Sequence, residues 1–162
     1  MGSFKKTLMD SAKKNGRYQR LYDQIKELVD NGSNNSLSTM STIIAVLHNK
    51  MDYYYWTGFY FLVDNKLQVG PYQGSLACID LKKDTGACWG CINQGMPLIV
   101  PNVNEYPGHI ACDSKSASEI VIPLKTSNGK IIGVMDVDSV ELNSFDEVDA
   151  IWLEKIIALI KL

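Results

Sequence analysis

The residues most able to do chemistry are crowded into one part of the chain. All four cysteines, Cys78, Cys88, Cys91 and Cys112, lie between Gly70 and Ser118, with His109 three residues before the last of them. A thiol becomes a nucleophile, a reductant or a metal ligand once it ionises. The stretch Tyr106-Pro107-Gly108-His109-Ile110-Ala111-Cys112-Asp113 joins a Pro-Gly turn to a histidine and a cysteine, and leads into an apolar strand with Glu119 at its start. Loop tips on a rigid scaffold are where reactive side chains are commonly placed. This composition points to thiol redox chemistry with Cys112 as the nucleophile, since it sits beside His109 and close in sequence to Glu119. Asp136 and Asp138 are two apart on a predicted strand, so they share a face. Crowded carboxylates raise the pKa of at least one of them, which leaves a protonated acid able to donate.

The rest of the composition narrows the setting. With 162 residues, 46% of them hydrophobic and 21% charged, the chain has the makeup of a folded single domain. A formal charge of −2 and the lack of a basic stripe give no reason to expect nucleic acid or an anionic membrane as partner. The amino end carries Lys5 and Lys6 where a secretory signal needs an apolar run, and nowhere do eighteen apolar residues follow one another. The expected location is cytoplasmic. There, cysteines serve redox, catalytic or metal-binding roles more often than structural cross-linking.

These side chains need elements to hold them. The single domain is expected to span residues 1–162, with residues 1–16 weakly ordered. Leu21, Tyr22, Ile25, Leu28 and Val29 recur at helical spacing from Tyr18 to Asn31, and Leu37, Met40, Ile43, Ile44 and Leu47 predict a second helix over 36–50 with His48 facing solvent. The aromatic run 53–63 reads as a central strand, turned by Asp64-Asn65 onto a strand that ends at Gly70-Pro71. Short strands are expected near 76–79 and 97–101, the second at an edge because prolines bound it, and a short helix at 87–92. Residues 120–124 and 131–137 form a hairpin through Asn128-Gly129. The form Ser144-Phe145-Asp146-Glu147 suggests a capping box for a terminal helix striped by Val148, Ile151, Trp152, Ile156 and Leu159. This order is an α+β fold with helices packed on an antiparallel sheet.

Eight short blocks, in order, carry a family resemblance. They are Trp56-Thr57-Gly58-Phe59-Tyr60, Gly70-Pro71-Tyr72-Gln73-Gly74, Ala77-Cys78, Gly86-Ala87-Cys88, Pro101-Asn102-Val103, Pro107-Gly108-His109-Ile110-Ala111-Cys112, Ser118-Glu119-Ile120-Val121 and Gly133-Val134-Met135-Asp136-Val137-Asp138-Ser139. Together they resemble the free methionine-(R)-sulfoxide reductases, which are built on a GAF domain. The resemblance implies a central antiparallel sheet with a pocket on one face and terminal helices on the other. It also implies reduction of the free amino acid, no cofactor beyond an external reductant such as thioredoxin, and a homodimer.

Sulfoxide reduction needs an attacking thiolate, a proton donor for the departing oxygen and a second thiol to collapse the sulfenic acid. Cys112 is expected to attack, and Cys88 or Cys78 to resolve, with Cys88 preferred. Glu119, Asp136 and Asp138 match the family's acids and suit an ammonium and a sulfoxide, while Trp56 and Tyr60 resemble its apolar wall. Cys91 is an extra thiol relative to the family pattern and reads as a small buried side chain. Two alternatives stand beside this reading. Cys88-x-x-Cys91 with His109-x-x-Cys112 has the spacing of a zinc site, although Cys78, Glu119 and the aspartates have no place in one. GAF domains also act as sensors that bind small ligands without catalysis.

Overall fold

The computed structural model of the chain describes residues 9–109 and 112–162. Two helices open the fold, α1 (Ser11–Asn31) and α2 (Ser36–Lys50), followed by strands β1 (Trp56–Val63), β2 (Lys66–Gln73) and β3 (Asp80–Leu81). Helix α3 (Gly86–Gln94) precedes β4 (Leu98–Val100), then β5 (Ser118–Lys125), β6 (Ile131–Ser139) and α4 (Glu147–Ile157). The six strands form one antiparallel sheet in the order β3-β2-β1-β6-β5-β4. The expected α+β class and the edge position of the proline-bounded strand β4 are both present.

Strand alternation divides the interior in two. Phe59, Met135, Val137, Ile120, Ile122 and Leu124 point to one face, where they pack on α1, α2 and α4 in the larger core. Trp56, Tyr60, Val134 and Val121 point to the other, where Ala87, Cys88, Trp89 and Cys91 of α3 cover them. The helical layer stabilises the sheet, and the α3 side frames the pocket.

Several expectations are corrected. Helix α1 starts at Ser11, capped by Asp10, whose side chain accepts from the Lys13 N–H at 2.9 Å, so residues 11–16 belong to the helix expected to begin at Tyr18; residues 1–8 lie outside those described. Lys14 is buried, and its Nζ donates to Asp149 Oδ2 at 2.6 Å and to the Ser144 carbonyl at 2.7 Å. The hydroxyls of Tyr18 (2.7 Å) and Tyr53 donate to the other oxygen of Asp149. A polar knot thus ties α1 to α4, and Tyr53 serves it instead of continuing the central strand.

Strand β2 runs on through Pro71, where a register shift opposite Phe59 absorbs the missing N–H. The segment 76–79 stays irregular, and the short strand falls at Asp80–Leu81. The cap of α4 is Asp146, in a box closed by Asp149 instead of Ser144 with Glu147, and Ile151 is exposed while Leu153 is buried. His48 is half-buried with Nδ1 3.0 Å from Thr57 Oγ1, not facing solvent. Among the described residues, no helix is long and apolar enough to cross a membrane.

Candidate active site

The strand register builds the floor of the pocket. Trp56 pairs with Asp138, Asp138 with Glu119, and Glu119 with Val100, so one row crosses four strands. The next row on that face reads Tyr72, Gly58, Asp136, Val121 and Leu98. Gly58 is required here, since a Cβ would lie 2.5 Å from both the Trp56 ring and the Tyr72 Cβ. Its bare Cα lets Trp56 stack between Tyr60 (centroids 5.7 Å apart) and Tyr72 (5.3 Å). The outcome is an aromatic wall beside three carboxylates.

The pocket over this floor is lined by Trp56, Tyr60, Cys88, Cys112, Glu119, Asp136 and Asp138, and also by His109. Of the residues expected from the sequence, Cys78 is not part of the lining, but it forms a disulfide with Cys112 with a Cα–Cα distance of 5.6 Å. The preference for Cys88 as partner is therefore corrected. Cys88 is a buried free thiol whose Sγ lies 4.0 Å from Glu119 Oε1, and burial followed by the charge of Asp136 pushes its pKa well up. Cys91 donates to the carbonyls of Met96 (3.4 Å) and Val121 (3.6 Å), and burial raises it to about 12. The alternative zinc quartet does not assemble, because the Cys112 sulfur is bonded to Cys78. The donors that do converge among the described residues are Cys88 Sγ with one oxygen each of Glu119 and Asp136, all within 4.8 Å of one another.

The acids are strained electrostatically. Burial, then the charge of Asp136, holds Glu119 well above the usual carboxylate range, and burial, then the charge of Glu119, does the same to Asp138. Burial, with Asp138 adding, lifts Asp136 to about 8, and the three titrate as a coupled set. Asp136 Oδ1 is buried without a hydrogen-bond partner among the described residues. Burial lowers the pKa of His109, so its imidazole is neutral at the pocket wall.

This arrangement sets a stability trend. In the folded chain Asp136 keeps its proton up to about 8, whereas the unfolded chain releases it near 3.8. Stability is therefore full at low pH and falls as pH rises across that window. Urea midpoints measured with EDTA present should drop from about pH 4 to about pH 8 in the parent, and drop less in Asp136→Asn. Equal slopes in the two proteins would contradict the assignment.

Three residues that the sequence reading passed over hold the Cys112 loop. Asp113 Oδ2 accepts from Tyr55 OH at 2.7 Å and from Ser75 Oγ, and Oδ1 accepts from the Lys115 N–H at 2.9 Å. These donors, Ser75 first, hold its carboxyl down at about 2. The Ser75 carbonyl in turn accepts from Trp56 Nε1 at 3.1 Å. The signal in the sequence was only adjacency, Asp113 next to Cys112 and Ser75 three residues before Cys78. Gly108, with φ 73°, turns the same loop where its own Cβ would lie 3.6 Å from the Gly86 amide.

Comparison with known proteins agrees with the fold. Residues 36–162 match the GAF domain family. The chain is 43% identical over 148 residues to GAF domain-containing protein A of Dictyostelium discoideum, covering 91% of this chain and 92% of that protein. It is 36% identical over 127 residues to the free methionine-R-sulfoxide reductase of Escherichia coli, covering 78% and 76% respectively. The solved structure of the free methionine-R-sulfoxide reductase of Neisseria meningitidis in complex with its substrate superposes with a TM-score of 0.85 at 34% identity, covering 99% of this chain and 94% of that one. The chain belongs to the GAF-domain family, among the free methionine-R-sulfoxide reductases.

Proposed function

We propose that this protein reduces free L-methionine (R)-sulfoxide to methionine, with Cys112 as nucleophile and Cys78 as resolving thiol. The observation that carries the reading is the Cys78–Cys112 disulfide at a pocket floored by Glu119, Asp136 and Asp138. Reduction of that bond by an external dithiol opens the cycle. The Cys112 thiolate attacks the sulfoxide sulfur, and a raised carboxyl group gives a proton to the oxygen. Methionine leaves as the sulfide, and Cys112 is left as a sulfenic acid that carries the oxygen. The Cys78 thiol attacks that sulfur, releasing water and re-forming the disulfide. Each turnover consumes two electrons from the dithiol.

The carboxylates suit a free ammonium group, which a residue inside a peptide lacks, and the Trp56–Tyr60 stack suits the methyl end. Cys88 lies too deep and too far from its thiolate form to serve as the exchanging thiol, and it falls to the pocket floor. Thioredoxin as the electron donor, a homodimeric assembly and a cytoplasmic setting are carried over from the family resemblance as parts of the same proposal.

Dithiol consumption with the free (R)-sulfoxide is the direct test. Turnover of the (S)-diastereomer and of the N-acetylated (R)-sulfoxide should be at least about tenfold slower, because each leaves buried polar groups unpaired. Equal rates for the acetylated compound would remove the ammonium from the reading. Cys78→Ser should release one methionine per chain in a rapid phase and then stall, with steady turnover on thioredoxin lower by about a hundredfold or more. Undiminished steady turnover would assign resolution to another thiol.

A further inference from the structure

One cluster at the pocket floor offers more than the sulfoxide chemistry uses. Cys88, Glu119 and Asp136 are all buried, at 5%, 7% and 6% exposure, and present one sulfur and two carboxylate oxygens within 4.8 Å of one another. The Cys88 thiol reaches Glu119 Oε1 only across 4.0 Å, a long contact even for sulfur. Asp136 Oδ1 is the independent sign of a missing partner, because it is the one buried side-chain polar atom among the described residues left without a hydrogen bond. A buried acceptor without a partner is costly, and native structures seldom keep one without a use.

We propose that Cys88, Glu119 and Asp136 bind a single divalent transition metal of the zinc type, and that this metal and the amino-acid substrate exclude each other. The donor set selects the metal class. A sulfur ligand disfavours magnesium and calcium, which take oxygen donors, and suits zinc or cobalt. Three protein ligands at a pocket wall leave the fourth tetrahedral position open to the cavity. Bonds of about 2.3 Å to sulfur and about 2.0 Å to oxygen place tetrahedral donors roughly 3.5 Å apart, so the three donors, now within 4.8 Å of one another with the thiol 4.0 Å from Glu119 Oε1, draw together around the ion. Binding releases the protons that these buried groups carry to solvent and leaves a charge-compensated centre in their place. Cys91 stays out of the site, since its sulfur is engaged with the Met96 and Val121 carbonyls.

The exclusion rests on the proposed function, because Glu119 and Asp136 are the same acids that would receive the substrate. A metal ion bonded to their oxygens leaves none of them free to accept from the substrate ammonium, and it also fills the floor. The protein would then be held inactive by a metal at a thiol that takes no part in turnover.

The oxidised full chain is the right sample, for its Cys78 and Cys112 sulfurs are bonded to each other and only Cys88 and Cys91 are free. Cobalt(II) is titrated into chelator-treated protein while the thiolate-to-metal absorption band is followed. One equivalent should bind with that band, which should vanish in Cys88→Ser and persist in Cys91→Ser. Glu119→Gln and Asp136→Asn should each weaken binding by at least about tenfold, the loss usual even for an outer-shell partner. Absence of the band, its survival in Cys88→Ser, its loss in Cys91→Ser, or parental affinity in both carboxamide variants would overturn the site. Free methionine-(R)-sulfoxide should bleach the band, and a band indifferent to saturating sulfoxide would overturn the exclusion. Turnover by the metal-free protein is measured separately, so a failed catalytic reading leaves the cobalt result intact.

Discussion

Cys112→Ser should lower steady turnover of free methionine-(R)-sulfoxide by at least about a thousandfold, because a hydroxyl in place of the thiolate removes the attacking group itself. Cys112 is exposed on its loop, so the substitution leaves both cores untouched. Stability gives the second half of the expectation. The disulfide closes a loop with a sequence separation of 34 residues, for which chain entropy predicts about 3–4 kcal/mol of stabilisation. Urea unfolding should find Cys112→Ser equal to the reduced parent and below the oxidised parent by that amount. More than about a hundredth of parental activity in the variant would move the nucleophile elsewhere.

Asp149→Ala should be the most damaging substitution outside the pocket. Asp149 is fully buried and accepts from Lys14, Tyr18, Tyr53 and the Asp146 N–H, and removing it takes away the nearest anion of the buried Lys14 ammonium, leaving it the Ser144 carbonyl and Asp146 Oδ2 at 3.3 Å. Breaking one side of a buried pair costs about 3–5 kcal/mol. Folded domains hold only about 5–15 kcal/mol, so this variant stands near the unfolding threshold. Pairing it with Lys14→Met should recover part of the loss, because the buried cation that lost its closest partner goes too. A urea-derived difference below about 1 kcal/mol would mean that water reaches Lys14 in the variant. The knot is remote from the pocket, on the opposite face of the sheet, so the remaining folded fraction should turn over normally.

The sheet and the cores were legible because they obey short-period rules. The helical spacing over 36–50 picked out Met40, Ile43, Ile44 and Leu47, which are buried, but also Leu37, which is exposed, while the apolar runs 120–124 and 131–137 marked strands buried on both faces. The three carboxylates were also visible, two by alternation and one by its place at a strand start. What the sequence hid was long-range polar pairing. Lys14 reads as a solvent residue until Asp149, 135 positions away, meets it. Tyr53 looks like strand material until its hydroxyl finds the same acid. The disulfide partner of Cys112 was hidden for a similar reason: Cys78 and Cys88 are both plausible by distance along the chain, and the path of the irregular segment after β2 brings Cys78 to it. Cap position is the third case, since Ser144 and Asp146 both have capping side chains and the fold uses the one whose box partner, Asp149, is also in the knot.

Asp113 gives the redox loop a property that sulfur alone does not. It joins the segment after Cys112 to Ser75 and Tyr55 through bonds that no electron donor breaks. When a reductant cuts the covalent bridge, this polar tether stays fastened. On the proposed cycle it would keep the freed thiols as neighbours, so that the second half would begin with its reactants already assembled.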